Sequence, residues 1–331
     1  MQELTYTEAV VEAIAEEMRR DPLVFIIGQT LTPFDDVYYP GISKLAREFG
    51  RERVHVTGIV ERFEAGAGVG AALAGYRPIV DLATSSFASL AYDEVFAKAG
   101  LWRYEHGGNG DMRLPVVFRM SFSSYGSGGA EHVRARTADY MHGVGLMVVV
   151  PSNPYDAKGL MKTAIRDDNP VVFMDHSNLF QEMAAIPDEE YLVPFGEAVV
   201  LREGDACTIV ATGYQVKLSL QAAEQLQREG TPVEVIDLRT LIPLDLDTVL
   251  VSVRKTGRLV VVDEDVIRCG VGAEIGFQVQ EALFGALKAP IQRVGNPNLP
   301  TPASPKLIRA VMPSPEKIVA AVRKTLASVR A

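Results

Sequence analysis

Six short apolar runs, separated by stretches with helical spacing, restrict what the first half of this 331-residue chain can fold into. They are "LVFIIG" (23–28), "RVHVTG" (53–58), "RPIVDL" (77–82), "LPVVFRM" (114–120), "LMVVVP" (146–151) and "PVVFMDH" (170–176). Between them the spacing predicts helices near 64–75, 86–104, 132–143 and 154–167, the last with Asn153 as its cap and Pro154 at its first position. Thr5-x-x-Glu8 reads as a capping box that opens an earlier amphipathic helix. Strands that are apolar on both faces need cover on both faces. Joined by helices, they form a parallel sheet between helical layers.

The segment "AAIPDEEYLVPFGEA" (184–198) breaks this rhythm with two prolines and a cluster of acids. We read residues 1–186 as one α/β domain, 187–198 as a linker and 199–331 as a second, smaller α/β domain. The second series runs through "CTIVATG" (207–213), a helix over 216–229, "PVEVIDL" (232–238), "RLVVVDED" (258–265), a helix over 272–287 and "PIQRVGNP" (290–297). Ser314-Pro315 starts a final helix.

A net charge of −9 argues against nucleic acid or an anionic membrane as the main partner, because both select basic surfaces. Two cysteines, Cys207 and Cys269, make no disulfide framework and no zinc site, and suit a reducing compartment. No apolar run is long enough to span a bilayer, and the start has no basic leader before an apolar block. A cytoplasmic protein is expected.

Between Ala65 and Gly75, nine of eleven residues are Gly or Ala, and Glu61 stands just upstream. Each Gly inside a helix costs about 1 kcal/mol relative to Ala, so close backbone approach is the reason to keep them. Gly66-x-Gly68-x-x-Ala71 could be a dinucleotide fingerprint, but that motif needs an apolar strand running into its first glycine. Here Glu61, Arg62 and Glu64 stand in that place, so a helix packed tightly on a neighbour is the better reading. Of the five histidines none has ligand spacing for a catalytic metal. His132 follows the Ser/Gly stretch "SFSSYGSGGAE", where a loop histidine is well placed for proton transfer, although a plain surface residue fits the same pattern.

The order of segments resembles the β subunit of the thiamine-diphosphate-dependent decarboxylating component of 2-oxo acid dehydrogenase complexes, of pyruvate, branched-chain and acetoin type. The resemblance covers nearly the whole chain. It is carried by 65–82, by "PSNPYDAKGLMKTAIRDDNPVVFMDH" (151–176), by "VEVIDLRTLIPLD" (233–245), and by "TGRLVVVDED", "RCGVGAEI" and "MPSPEKIVAAV" (256–265, 268–275 and 312–322). It implies a parallel-sheet pyrimidine-binding domain followed by a transketolase C-terminal-like domain concerned with subunit assembly.

By the same resemblance Glu61 is the essential glutamate, which hydrogen-bonds a pyrimidine ring nitrogen and so promotes loss of the thiazolium proton. Ile59 and Phe87 line the cofactor, Phe87 packing on the pyrimidine ring, and His132 handles protons or the incoming lipoyl group. Val116, Ala164, Ile165, Asp167 and Asn169 would hold the potassium ion found in several members, mostly through backbone carbonyls. Magnesium and the diphosphate would be held by an α subunit in an α2β2 heterotetramer, working on a small 2-oxo acid with a lipoyl acyltransferase core.

The chain departs from the family's usual pattern at several points. "EHVR" (131–134) replaces "QHSQ", and Ala83, Ser85 and Leu90 stand where Met, Phe and Gln are common. Gln29-Thr30 replaces an acid, and 34–43 is unusual. Arg134 introduces a fixed charge suited to an extra anionic group on substrate or acceptor, and equally to a surface pair with Glu131. The alternatives are a two-component carboligase or lyase, of acyloin-synthase or transketolase type, outside a lipoyl complex, and a non-catalytic assembly subunit.

Overall fold

The computed structural model describes residues 1–31, 39–107 and 112–328. Of the unusual stretch 34–43, residues 34–38 lie outside the described residues. By contacts the chain forms two compact units, 1–122 with 139–195, and 123–138 with 196–331.

The first unit contains β1 (Gln2–Thr5), β2 (Val24–Gly28), β3 (Val54–Val56), β4 (Arg77–Thr84), β5 (Val117–Phe122), β6 (Met147–Val149), β7 (Val171–His176) and β8 (Met183–Ile186). Six of them lie side by side in the order β6-β7-β5-β4-β2-β3, and all neighbours run parallel. This is the sheet that the apolar runs predict. The strand expected over 114–120 is displaced to Val117–Phe122 because the residues before it bond elsewhere. Leu114 donates its N–H to the carbonyl of Asp168 at 3.0 Å, and Val116 donates to Leu114 at 2.9 Å. A separate antiparallel pair joins β1 to β8, whose residues Met183–Ile186 directly precede the expected linker.

The capping box forms: Glu8 N–H donates to Thr5 Oγ1 at 3.3 Å and Thr5 N–H to Glu8 Oε2 at 3.0 Å. Asn153 caps Pro154–Arg166, its Oδ1 accepting the N–H of Asp156 at 2.9 Å. These two helices are tied by the buried Lys158 and Lys162, which reach Glu16 at 2.8 and 2.7 Å.

The small-residue helix spans Glu61–Leu73 and starts three residues earlier than its spacing suggests. A Cβ on Gly68 would lie 2.3 Å from Val80 Cγ2, so the helix can rest on β4 only with glycine there. The two halves of the dinucleotide motif, Gly66 and Gly68, both fall inside the helix, not at a strand-to-helix turn. The helix expected over 86–104 is instead four pieces: Ser85–Ala88, a 3₁₀ turn at Ser89–Ala91, a π-helical Asp93–Gly100 and Trp102–Glu105. The one expected over 132–143 is two short helices, Gly129–His132 and Thr137–Met141.

The second unit holds β9 (Val199–Arg202), β10 (Thr208–Ala211), β11 (Glu234–Asp237), β12 (Thr240–Ile242), β13 (Leu259–Val266) and β14 (Gln292–Asn296). Five form a sheet in the order β14-β13-β10-β11-β9, parallel except for the edge strand β9. Leu218, Ala222 and Leu226 of helix Tyr214–Arg228 meet Ile318 and Val322 of helix Pro315–Ala327 in one core with Ile209, Val235 and Val260.

Candidate active site

Strand β3 leads through Gly58 and Ile59 into the helix at Glu61, so the carboxylate sits where the helix begins. Glu61 is 3 % exposed, yet it helps line an open cavity of about 780 Å³ with Ile59, Val60, Arg62, Phe63, Leu90 and Glu94. Ile59, Phe63 and Leu90 are 80, 61 and 63 % exposed, so an apolar rim surrounds a nearly buried carboxylate. Gln29, on the turn after β2, places Nε2 3.4 Å from Glu61 Oε1. Gly28 precedes it because a Cβ there would lie 2.4 Å from the carbonyl oxygen of Asp81. A nearly buried carboxylate beside exposed apolar side chains can accept a hydrogen bond from a flat heteroaromatic ring. These residues fit the aminopyrimidine end of thiamine diphosphate.

Glu64, one turn along the same helix, is fully buried. Thr57 donates its hydroxyl to Glu64 Oε1. Burial first, and then the charges of Asp81 and Glu61, push its carboxyl up to about 7 against the pull of the Thr57 hydroxyl and a backbone bond from Gln29. A folded value above the unfolded one means that Glu64 stabilises the fold below the ordinary carboxylate range. That contribution is lost as pH rises through about 7. Glu64→Gln should therefore flatten the fall in unfolding free energy between pH 4.5 and 7, a difference on the order of 3 kcal/mol. Denaturant titrations of both chains across that range check it; parallel pH profiles would refute it.

Behind the helix lies a buried ion network. Arg119 on β5 reaches Asp81 on β4 at 2.6 Å and Asp175 on β7 at 2.8 Å, and all three side chains are at most 2 % exposed. Tyr6 donates to Asp175 at 2.9 Å, Thr30 donates to Asp81 at 3.0 Å, and the Tyr39 ring lies 3.6 Å from the guanidinium carbon. Asp81 also accepts the N–H of Ala83 at 2.9 Å, which holds that residue at φ 57°, in the left-handed region. The chain then turns into Ser85–Ala88, which carries the half-buried Phe87. Removing the cation would leave two facing buried carboxylates. Arg119→Met should cost about 3–5 kcal/mol in a chemical denaturation experiment. A loss below about 1 kcal/mol, the scale of an exposed pair, would show that the network contributes little.

His132 and Arg134 belong to the other unit. Both belong to the stretch 123–138, which by contacts is part of the second unit, whereas the sequence boundary at 186 places it in the first. His132 is exposed at the end of Gly129–His132, and Arg134 is half-buried. Ile59, Glu61 and Phe87 belong to the first unit.

Of the five residues expected around potassium, Val116, Ile165, Asp167 and Asn169 each present an oxygen that already accepts a hydrogen bond. Arg77 donates to the carbonyls of Ile165 and Asp167 at 2.8 and 2.6 Å, Arg103 donates to Asn169 Oδ1, and Val116 O accepts from Val171 at 2.9 Å. Two guanidinium groups thus stand at the oxygens a monovalent cation would need, and like charges repel. Among the described residues no three His, Cys, Asp or Glu side chains are grouped to hold a metal. No helix among them is long and apolar enough to cross a membrane.

Sequence reasoning did not assign Glu64 or Leu90 to the site. Glu64 had a usable signal, since a carboxylate three residues after Glu61 on one helix shares its face.

Residues 2–182 match the transketolase pyrimidine binding domain, and 196–318 match the transketolase C-terminal domain. The chain is 41% identical over 326 residues to the acetoin:2,6-dichlorophenolindophenol oxidoreductase subunit beta of Cupriavidus necator, covering 96% of each. It is 42% identical over 322 residues to the pyruvate dehydrogenase E1 component subunit beta of Rickettsia felis, covering 97% of this chain and 98% of that one. To the 2-oxoisovalerate dehydrogenase subunit beta of Bacillus subtilis it is 35% identical, covering 98% and 99%. A solved structure, a split gene transketolase described as an inactive beta4 tetramer, shares the fold with a TM-score of 0.81 at 22% identity, covering 99% of this chain and all of that one.

Proposed function

The chain belongs to the transketolase-like family of 2-oxo acid dehydrogenase E1 β subunits, and from that premise we propose that it is one half of a thiamine-diphosphate-dependent decarboxylating enzyme. The observation that carries the reading is Glu61, a nearly buried carboxylate on the floor of a cavity with an apolar rim. When bound, the cofactor supplies an electron sink for loss of carbon dioxide from a 2-oxo acid. Glu61 holds or gives up a proton at a ring nitrogen, and Ile59 and Phe87 fix the ring.

The exposed rim is the contact surface for an α subunit, which brings magnesium and the diphosphate site in an α2β2 assembly. On helix Glu61–Leu73, a Cβ on Gly70 would meet nothing within 4 Å, and one on Gly66 only Glu94 at 3.9 Å. A partner backbone can therefore come close along that face. His132 moves a later proton or receives the lipoyl arm of an acyltransferase core, and Arg134 holds an anionic group of substrate or acceptor. The cytoplasm, where small 2-oxo acids are found, is the place for such an enzyme.

A second reading, a carboligase or lyase without a lipoyl complex, draws on Leu90 at the cavity and "EHVR" at 131–134. The assembled enzyme, offered pyruvate or branched 2-oxo acids with either a lipoyl domain or an aldehyde, separates the two. Acyl transfer to the lipoyl domain is the expected result. Carbon–carbon bond formation alone would favour the second reading and overturn the first.

A further inference from the structure

We propose that Glu264 is a positioning residue: with Gln215 it fixes the loop 123–138, which carries His132 and Arg134. The role given to His132 rests on the function proposed above; the anchoring itself does not. Glu264 is 1 % exposed near the end of β13. Its Oε1 accepts the N–H of Ser124 at 2.8 Å, and its Oε2 accepts Gln215 Nε2 at 3.0 Å. The Tyr125 hydroxyl is shared between Gln215 Oε1 at 3.2 Å and the carbonyl of Pro313 at 3.0 Å, and its ring meets Tyr214 edge-on at 5.2 Å.

Asp263 and Asp265 flank Glu264 on the same strand. They take the other end of the loop: Thr137 Oγ1 donates to Asp263 at 3.1 Å and Ala138 N–H to Asp265 at 3.4 Å. Three consecutive acids thus hold both ends of a segment whose middle contains Gly126, Gly128 and Gly129. Such a segment has much conformational freedom to lose, and a buried carboxylate accepting a backbone N–H is among the stronger ways of fixing it. The second unit therefore does more than assemble subunits. It sets where His132 stands.

An exchange of partners tests this in the full chain and in the assembled enzyme. Gln215→Glu sets a second carboxylate against Glu264, and hydrogen exchange across 123–138 should quicken by about tenfold while the rest of the unit keeps its protection. Adding Glu264→Gln restores one amide facing one carboxylate, with an acceptor still offered to Ser124, and protection should return. In the assembled enzyme turnover should fall and recover with the loop, while exchange of the thiazolium proton stays constant. Unchanged loop exchange in Gln215→Glu, or no recovery in the double variant, would overturn the anchoring. A loosened loop with normal turnover would leave the anchoring intact and overturn the role given to His132.

Discussion

Purified alone, the chain should neither bind thiamine diphosphate and magnesium tightly nor decarboxylate any 2-oxo acid; pairing with an α subunit should restore both. The reason is geometric. The cavity around Glu61 is open, and Ile59, Phe63 and Leu90 are mostly exposed at its rim. A flat apolar ring placed there would be covered on one side only and would gain little from burial. The sequence also carries no GDG-type diphosphate and magnesium motif after Gly204-Asp205. Calorimetry on the isolated chain checks this directly. Tight binding without a partner would show that the chain holds a whole site.

Glu61→Gln should lower the activity of the assembled enzyme by about 100-fold or more, the scale for losing a positioned proton-transfer group. The amide keeps the shape of the carboxylate and still accepts a hydrogen bond, so folding and assembly should be unaffected. Gln29 Nε2 already faces Glu61 Oε1, and the substituted amide can keep its oxygen on that side. What the variant cannot do is carry the charge. Activity within tenfold of the parent would assign Glu61 to the start of the helix and nothing more.

Much of this architecture is legible in the sequence because its causes are local. The capping box at Thr5 and Glu8, the cap at Asn153 and the alternation of apolar strands with helices are each written within a few residues. The close approach of helix Glu61–Leu73 to β4 is legible for the same reason, since only glycine at 68 allows it. The misses have distant causes. Nothing near 114–116 announces that Leu114 bonds to Asp168, which delays β5 to Val117. Nor does the Ser/Gly loop reveal that its anchor, Glu264, lies 140 residues away from Ser124. Nor does anything near 165–169 announce that Arg77 and Arg103, far away in sequence, meet the oxygens of Ile165, Asp167 and Asn169. Spacing alone marks Glu61 as a carboxylate beside the small-residue helix, and the resemblance supplies its role, because a buried carboxylate at a helix start has no local signature that separates catalysis from capping.

The central claim is that Glu61 activates the cofactor before any substrate arrives. The measurement that tests it most directly is exchange of the thiazolium proton into deuterated water in the assembled enzyme, without a 2-oxo acid, comparing the parent with Glu61→Gln and His132→Ala. Exchange should slow with Glu61→Gln in proportion to activity and stay near the parent rate with His132→Ala, whose defect falls later. A Glu61→Gln enzyme that exchanges this proton at the parent rate would contradict the claim.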